Sequence, residues 1–481
     1  MTKKDKNFYI WTLENCIKST YEYWGIDIIS MYKSIEKDFP IAAVAINNIY
    51  PSLKNYPATT QFLVFEDIRY VFEAIANLIC DNEVSGEKKR YVELLNKASD
   101  LYGDGDYHII SAPGRTEVGG NHTDHNKGCV VAASVNLDSV AVVKSNNSSI
   151  VNFMSEGFEI KPVDLSDLSV KKDEVNRTES LIRGIAARFV QLGYKVSGFD
   201  ATSNSKVLPG SGISSSASFE VLVGEIFNHL FNEGKVNAIE IAQIAQYAEN
   251  EYFGKPCGLM DQMAISVGGF TAIDFADPTQ PIVEKVDFDF KKAGYYLVIT
   301  NTKGDHADLS GEYGAIPFEM KSVARELGHE VLRECDLNDL MQNITSIRST
   351  LQNDRSLLRA IHFFRENERA KELKVALENK DMDKVLSLIR QSGQSSYMYL
   401  QNVTVPGSVK SQNLALALAL SDVYLNTEGA FRVHGGGFEG TIQAFVPTHL
   451  LDGYIQLMQS VFGKDATHLM AIRSIGGTQI I

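Results

Sequence analysis

Residues 209–220 of the sequence, PGSGISSSASFE, join a proline, two glycines and a series of serines directly to an apolar helical pattern. That pattern places five apolar side chains on one face of a helix: Phe219, Leu222, Val223, Ile226 and Leu230. A flexible linker is rarely followed at once by so strong a helix. Glycines let a backbone approach a ligand closely, and the free N–H groups of a helix N-terminus attract anions. The stretch therefore predicts a phosphate-binding loop, and the alternative is a plain helix cap. No lysine follows the glycines, which excludes the GxxxxGK[ST] nucleotide loop.

The segments around this loop alternate between β-type runs and amphipathic helices. Apolar periodicity predicts strands at 107–113, 128–145, 149–155 and 291–302, and helices at 177–193, 217–232, 238–253, 315–330, 357–378 and 408–420. A β–α–β pattern closes the chain. These patterns predict an α+β protein with a helical N-terminal extension (1–100) and two core domains (101–290 and 291–481). The extension is expected to pack over the core, and the alternative is a surface for a partner or for self-association.

Bulk composition excludes several classes of function. The 481 residues carry a formal net charge of −14, so no global basic field is present to bind nucleic acid. The five cysteines are scattered without a CxxC pair, which argues against a disulfide framework and a zinc site. No apolar run approaches about 18 residues, the length that a membrane span needs, and the N-terminus lacks a secretory signal pattern. We therefore expect a cytoplasmic protein.

Two further segments concentrate chemistry-bearing residues. In 111–128, SAPGRTEVGGNHTDHNKG, five such residues lie close together, namely Arg115, Glu117, His122, Asp124 and His125. They form either a metal site or, as we favour, a polar cup for a hydroxyl-rich ligand. In 248–264, AENEYFGKPCGLMDQMA, Asp261 follows a Pro-Cys-Gly break. Its carboxylate is either a general base or a helix N-cap. A fourth segment, HGGGFEGT at 434–441, is a glycine-rich turn before a strand.

Taken in order, these segments resemble the galactokinase branch of the GHMP small-molecule kinases. The motifs that carry the resemblance are GRTEVGGNHTDHN (114–126), LPGSGISSSA (208–217), CGLMDQ (257–262), NTKGDHADLSGEY (301–313) and GGGFEG (435–440). It extends from about residue 88 to the end of the chain. The resemblance implies a two-domain fold of mixed sheets packed with helices. It also implies ATP- and Mg²⁺-dependent phosphorylation of the anomeric hydroxyl of galactose, in a monomer or weak oligomer that binds neither nucleic acid nor membrane.

The same resemblance implies a role for individual residues. Asp261 and Arg115 match the catalytic positions, and Ser216 and Glu249 match the Mg²⁺ ligands. The phosphate-binding positions are Gly210, Ser211, Gly212, Ile213, Ser214, Ser215, Ser216 and Ala217. The sugar-contacting positions are Asn121, His122, Asp124, Gly258 and Tyr313.

Several departures from the family pattern leave the sugar open. Asn121 stands where the family has a glutamate, and His125 where it has a tyrosine. Because that glutamate lies near C6 of the sugar in galactokinases, galacturonate or another galactose-like sugar is an alternative substrate. Glu439 replaces a glycine in the last motif, and its effect is open. A catalytically silent sugar and nucleotide sensor is the alternative of a different class, and the retention of Asp261 and Arg115 argues against it.

Overall fold

The structure is a computed structural model that describes residues 84–207, 212–255, 257–304, 309–438 and 440–480. The α-helices in these residues are α1 (Val84–Tyr102), α2 (Thr178–Gln191), α3 (Ser215–Asn232), α4 (Ala238–Ala248), α5 (Met260–Val267), α6 (Ser310–Glu326), α7 (Leu337–Leu351), α8 (Asp354–Glu378), α9 (Met382–Ser395), α10 (Asn413–Leu425) and α11 (Leu451–Phe462). The strands are β1 (His108–Gly119), β2 (Cys129–Ser145), β3 (Ile150–Ser155), β4 (Val163–Asp164), β5 (Phe199–Ser205), β6 (Phe270–Asp274), β7 (Ile282–Val286), β8 (Tyr295–Asn301), β9 (Ala430–His434), β10 (Thr441–Pro447), β11 (Thr467–Met470) and β12 (Thr478–Gln479). The α+β class predicted from the sequence is confirmed. The predicted N-terminal extension lies outside the described residues, apart from α1.

The larger sheet has eight strands, and its strand β1 contains the beginning of the first sequence motif. Its main path runs β12-β1-β2-β5-β3-β4, and β6 joins β2 and β7 at the side. All pairs are antiparallel except β3 with β5. The β1–β2 register shifts between Pro113 and Arg115 and again between Glu117 and Gly119. Such bulges re-aim side chains, and here they flank the two charged residues of the motif.

The smaller sheet has the order β11-β8-β10-β9 and is antiparallel throughout. The two sheets share one apolar core, in which Val131 and Phe270 of the larger sheet pack with Ile299 and Phe445 of the smaller sheet. The last strand, β12, returns to pair with β1, where Gln479 faces Ile110. Strand β12 therefore belongs to the larger sheet, and the domain boundaries given above remain a prediction.

Helix α3 packs against both β1, the strand that begins the first motif, and helix α2. Its buried face includes Val221, Leu222 and Ile226, which join a core with Ile110 of β1 and Ile182 of α2. Of the apolar stripe expected from the sequence, Leu222, Val223 and Ile226 are buried, while Phe219 and Leu230 are partly buried against the same core. Helices α7 and α9 were not predicted, and α10 lies five residues later than the predicted start at 408. No helix in the described part of the chain is long and apolar enough to cross a membrane.

Candidate active site

A bidentate ion pair between Arg115 and Asp261 lies at the centre of the site. Arg115 Nε donates to Asp261 Oδ1 at 2.7 Å, and its Nη2 donates to Oδ2 at 2.8 Å. The Asp261 side chain is 31% exposed, whereas that of Arg115 is only 7% exposed. Asp261 sits in the first turn of α5, whose N-cap is Leu259. The N-cap alternative for Asp261 is therefore wrong, because its carboxylate is bound by an arginine from β1.

The beginning of α3 meets this ion pair directly. The Ser214 hydroxyl donates to Asp261 Oδ2, and Arg115 Nη1 donates to the Gly212 carbonyl at 2.5 Å. The N–H of Arg115 also donates to the carbonyl of Ile213 at 3.1 Å. The second and third motifs thus converge with the first, although residues 115 and 261 are 146 positions apart along the chain.

Ser214 is the N-cap residue of α3, but its side chain does not cap the helix. Its φ of 61° lies in the left-handed region, which is unusual for a residue with a Cβ. The hydroxyl that would otherwise cap the helix is bonded to Asp261. The first-turn N–H groups of α3 are therefore left without this cap, as an anion-binding helix start requires.

Glycine 212 brings the loop against the smaller sheet. Its φ is +75°, and a Cβ here would overlap Thr441 Oγ1 and lie 2.9 Å from Nδ1 of His434. The buried His434 ring is in turn hydrogen-bonded to Thr116 at 3.0 Å and Thr441 at 3.1 Å. Gly212, in the loop that we call the phosphate loop (residues 208–217), thus lies against β9 and β10. Two of its predicted phosphate-binding residues, Gly210 and Ser211, lie outside the described residues.

The charges of the site keep Asp261 ionised. Burial acts to raise the pKa of Asp261, but the Arg115 guanidinium and the Ser214 hydrogen bond outweigh it and lower that pKa below its usual range. Burial lowers the pKa of His434 well below its usual value, and the nearby Arg115 adds to that effect. The pair therefore presents a carboxylate, beside a neutral imidazole, at neutral pH.

Glu249 and Gln262 form a second buried cluster beside Asp261. The amide nitrogen of Gln262 donates to Glu249 Oε2 and to Glu220 Oε2, both at 2.9 Å. Lys255 donates to the other oxygen of Glu249 at 3.3 Å. Burial and the Glu249 charge raise the pKa of Glu220 well above its usual range. Glu249 begins a π-helical turn at the end of α4, a distortion often found at functional sites.

The first motif forms a turn (residues 119–125, which we call the sugar turn) on the other side of the site. His122 has a φ of 58° and its Nε2 contacts the Gly436 carbonyl at 3.1 Å. A carbonyl can only accept, so Nε2 carries the proton. Burial and the stacked His125 ring lower the pKa of His122 to about 3. The ring is therefore neutral and its Nδ1 is an acceptor.

Asp124 and Gly258 approach each other across two motifs. A Cβ at Gly258 would overlap the Asp124 carboxylate, so only glycine allows this contact. The Asp124 side chain is 10% exposed and accepts the N–H of His125 at 2.9 Å. No group of three or more His, Cys, Asp or Glu in the described ranges is arranged to hold a metal ion. The geometry therefore does not support the metal alternative for the sugar turn.

Tyr313 joins the sugar turn through the last glycine motif. Its hydroxyl donates to the Gly437 carbonyl at 3.0 Å, and its ring packs edge-on against Phe438. A Cβ at Gly436 would overlap the Tyr313 ring. This glycine loop (residues 435–440) thus connects Tyr313 with His122. Glu439 of the loop lies outside the described residues.

Asn121 differs from the other sugar-contacting candidates because its side chain is fully buried. Its nitrogen donates to Glu117 at 3.2 Å and to the Gly435 carbonyl at 3.0 Å, while its oxygen accepts from Ser396 and Asn402. All four hydrogen-bonding positions of the amide are used inside the protein. Direct contact between Asn121 and a sugar is therefore not favoured by this geometry, whereas contacts by its neighbours His122 and Asp124 are.

Several residues around the site were missed by sequence reasoning. One of them is the fully buried Arg432 of β9, which pairs with Glu117 at 2.7 Å, and burial nonetheless raises the pKa of Glu117. His362 and Glu366 of α8 contact the backbone of the sugar turn. Neither α8 residue stands in a motif, and the helical periodicity of 357–378 was the sole signal in the sequence. Their placement depends on long-range packing.

A cavity of about 580 Å³ lies along α8, lined by Arg333, Phe364, Arg369 and Leu388 among others. None of the predicted site residues lines it. We therefore place the candidate active site at Asp261, where the motifs converge, and not at this cavity.

Two family models and several known proteins match this chain. Residues 180–269 match the GHMP kinases N-terminal domain, and residues 99–145 match the galactokinase galactose-binding signature. The chain is 28% identical over 375 residues to a galactokinase of Clostridium tetani, covering 77% of this chain and 92% of the relative. It is 29% identical to a galactokinase of Bacillus subtilis, covering 72% and 86%.

Solved structures give the same fold. Lactococcus lactis galactokinase complexed with galactose superposes with a TM-score of 0.69 at 24% identity, covering 80% of this chain and 98% of that one. Methanococcus jannaschii mevalonate kinase superposes with a TM-score of 0.55 at 13% identity, covering 76% and 99%. The matched domain is that of the GHMP kinases, and the fold is that of the solved kinases. The chain resembles the galactokinase branch of that family in both matched segments and in the named relatives.

Proposed function

We propose that the chain transfers the γ-phosphoryl group of ATP to the C1 hydroxyl of galactose, giving galactose 1-phosphate and ADP. The observation that carries the proposal is the Arg115–Asp261 ion pair, partly exposed and bonded to the start of α3. The curated relatives named galactokinases and the galactose-binding signature support galactose as the sugar. They do not favour galacturonate, the alternative sugar that Asn121 and His125 had suggested.

In the proposed reaction Asp261 acts as the general base. Its ionised carboxylate takes the proton of the C1 hydroxyl while that oxygen attacks the γ-phosphorus. The bond between the γ-phosphorus and the β,γ-bridging oxygen breaks, and ADP leaves. Arg115 holds Asp261 in its charged form and offsets the charge that develops on the transferring group.

The phosphate loop is proposed to bind the phosphates of ATP. The N–H groups at the start of α3 point toward the N-terminal side of the helix and favour an anion there. The described members of the predicted set are Gly212, Ile213, Ser214, Ser215, Ser216 and Ala217. Among them the Ser214 hydroxyl is engaged with Asp261, so it aligns the base in addition to lying in the loop.

The sugar is proposed to bind between the sugar turn and the glycine loop. The neutral ring of His122 has an acceptor at Nδ1, and the Asp124 carboxylate accepts from hydroxyl groups. Tyr313 is 38% exposed and lies against the glycine loop, where its ring offers an apolar wall. These observations support the prediction of a polar cup for a hydroxyl-rich ligand.

Ser216 and Glu249 fit the donor chemistry of Mg²⁺. Kinase magnesium sites use one or two protein oxygens together with substrate phosphates, and both residues supply oxygen. Glu249 is buried, and Ser216 is exposed in the first turn of α3. Ser216 and Glu249 would hold the Mg²⁺ ion, which would neutralise the charge of the phosphates. We expect Glu249→Gln to raise the Mg²⁺ concentration for half-maximal rate by about tenfold.

A coupled assay of ADP release over galactose, galacturonate, N-acetylgalactosamine and arabinose tests the function. We expect sugar-dependent ADP release with galactose as the substrate of highest kcat/KM. If none of the four sugars stimulates ADP release although galactose binds measurably, the sensor alternative would replace the kinase. A higher kcat/KM with galacturonate would overturn the choice of sugar. The cytoplasmic location and the monomeric or weakly oligomeric state remain predictions.

A further inference from the structure

The backbone of the sugar turn is held by a carboxylate from a distant helix. Oε1 of Glu366, on α8, accepts the N–H of Gly120 at 3.0 Å and that of Asn121 at 3.4 Å. These two N–H groups lie directly before His122, the first proposed sugar contact. One buried oxygen therefore fixes two successive peptide units of the turn.

A histidine one turn earlier on α8 holds the same turn from its carbonyl side. The Nε2 atom of His362 lies 2.9 Å from the carbonyl oxygen of Asn121, and its Nδ1 lies 2.9 Å from the Ser395 hydroxyl. Because the carbonyl only accepts, Nε2 donates and Nδ1 accepts from Ser395. Burial lowers the pKa of His362, which agrees with this neutral form. The peptide of Asn121 is thus bonded at its N–H and at its carbonyl.

The Glu366 carboxylate is itself tightly held. Its side chain is fully buried, pairs with Arg369 one turn later, and accepts from the Ser392 hydroxyl at 2.5 Å. Burial acts to raise the pKa of Glu366, but the Arg369 charge outweighs it and lowers that pKa to about 2. A charged carboxylate binds the N–H groups of Gly120 and Asn121 more strongly than a neutral acceptor would, because charge-assisted hydrogen bonds are stronger.

The turn held in this way carries an unfavourable backbone conformation. His122 has a φ of 58°, in the region that residues with a Cβ rarely adopt. Such a conformation persists only when its surroundings determine it. The Glu366 and His362 contacts lie on the residue immediately before His122, where they can set its direction.

We propose that Glu366 is a positioning residue for sugar binding, whose carboxylate fixes residues 120–122 so that His122 and Asp124 face the sugar. The inference rests on the proposed function, because it takes those two side chains as sugar contacts. Glu366 touches neither sugar nor nucleotide in this assignment. It acts through the backbone of the sugar turn alone.

The test compares two glutamates of the same helix in the full-length chain. Glu366→Gln keeps the shape of the side chain but removes its charge. Glu368→Gln is the matched control, since Glu368 also pairs with a cation three residues later (Lys371) but is 64% exposed. We expect Glu366→Gln to raise KM for galactose by about tenfold or more, with kcat changed less than about threefold and KM for ATP unchanged. The control is expected to match the parent in all three constants.

A general loss of structure would give a different pattern, in which kcat falls and KM for ATP changes as well. That pattern would overturn the positioning role, as would a KM for galactose equal to that of the control. If Glu366→Gln fails to fold, Glu366→Asp replaces it, because aspartate keeps the charge but reaches less far. The same rise in KM for galactose supports the proposal there, and an unchanged KM overturns it.

Failure of the proposed function has its own signature. A parent protein that neither phosphorylates nor binds galactose, by isothermal titration calorimetry, would overturn both proposals together. A parent that turns over galactose while Glu366→Gln behaves like Glu368→Gln would overturn only the positioning role.

Discussion

Two carboxylates of the site, Asp261 and Glu366, are each paired with an arginine, yet their surroundings differ. The Asp261 side chain is 31% exposed, whereas that of Glu366 is fully buried. Asp261 is bonded to side chains, Arg115 and Ser214, while Glu366 also accepts two backbone N–H groups. The same ion-pair chemistry thus keeps one carboxylate charged and accessible, and makes the other a fixed anchor. The comparison separates the groups proposed to react from those proposed to hold geometry.

The largest effect is expected from removing the proposed base. Asp261→Asn should lower kcat by about 10³-fold, since proton abstraction is lost. Galactose and ATP binding, measured by calorimetry, should persist. Asp277→Asn, in an exposed turn, is the control and should leave kcat unchanged. An Asp261→Asn rate within tenfold of the parent would contradict the role of Asp261.

The next effect tests how Asp261 is kept charged. Arg115→Met removes the cation that offsets burial, so the pKa of Asp261 should rise. Because the base form is needed, activity is lost as pH falls through that pKa. The acidic limb of kcat/KM against pH should therefore move to higher pH, with a loss of about 100-fold at neutral pH.

Arg188→Met on α2, whose guanidinium lies over the Tyr247 ring, is the control for loss of an arginine. Its pH profile should match that of the parent. An unshifted acidic limb in Arg115→Met would show that Arg115 does not set the ionisation of Asp261.

Asn121, which is buried among hydrogen-bond partners, gives the third prediction. Asn121→Asp should lower the stability of the fold but change the preference between sugars only slightly. The new carboxylate cannot donate, so it meets Glu117 and the Gly435 carbonyl as a third buried acceptor. The free energy of unfolding in urea should fall by about 3 kcal/mol. The ratio of kcat/KM for galactose to that for galacturonate should remain within about threefold of the parent ratio. A large change in that ratio would return Asn121 to the specificity argument.

The smallest expected effect comes from one added methyl group. Gly258→Ala would place its Cβ on the Asp124 carboxylate and push that side chain aside. KM for galactose should rise by about tenfold, with KM for ATP unchanged. Equal changes in both KM values would indicate a wider disturbance of α5 instead of a local effect on Asp124.

Local sequence patterns were sufficient for much of the fold. Apolar periodicity indicated β1, β2, α3 and α8, because a strand or a helix shows its buried face within a few turns. The same periodicity was present in α9, where Val385, Leu388 and Ile389 are buried, but it was overlooked. The return of β12 to the larger sheet had no local signal, since it depends on pairing with a strand more than 300 residues earlier in the chain.

The candidate site divides in the same way. The sequence by itself determined the order of the motifs, the helix that follows the phosphate loop, and Arg115 and Asp261 as candidates, because turn chemistry and motif spacing are local. Only the tertiary structure decided that Asn121 is buried and that Glu366 holds the sugar turn. Those outcomes arise when distant segments close together and compete for the same buried hydrogen bonds, and no short stretch of sequence records which partner is chosen.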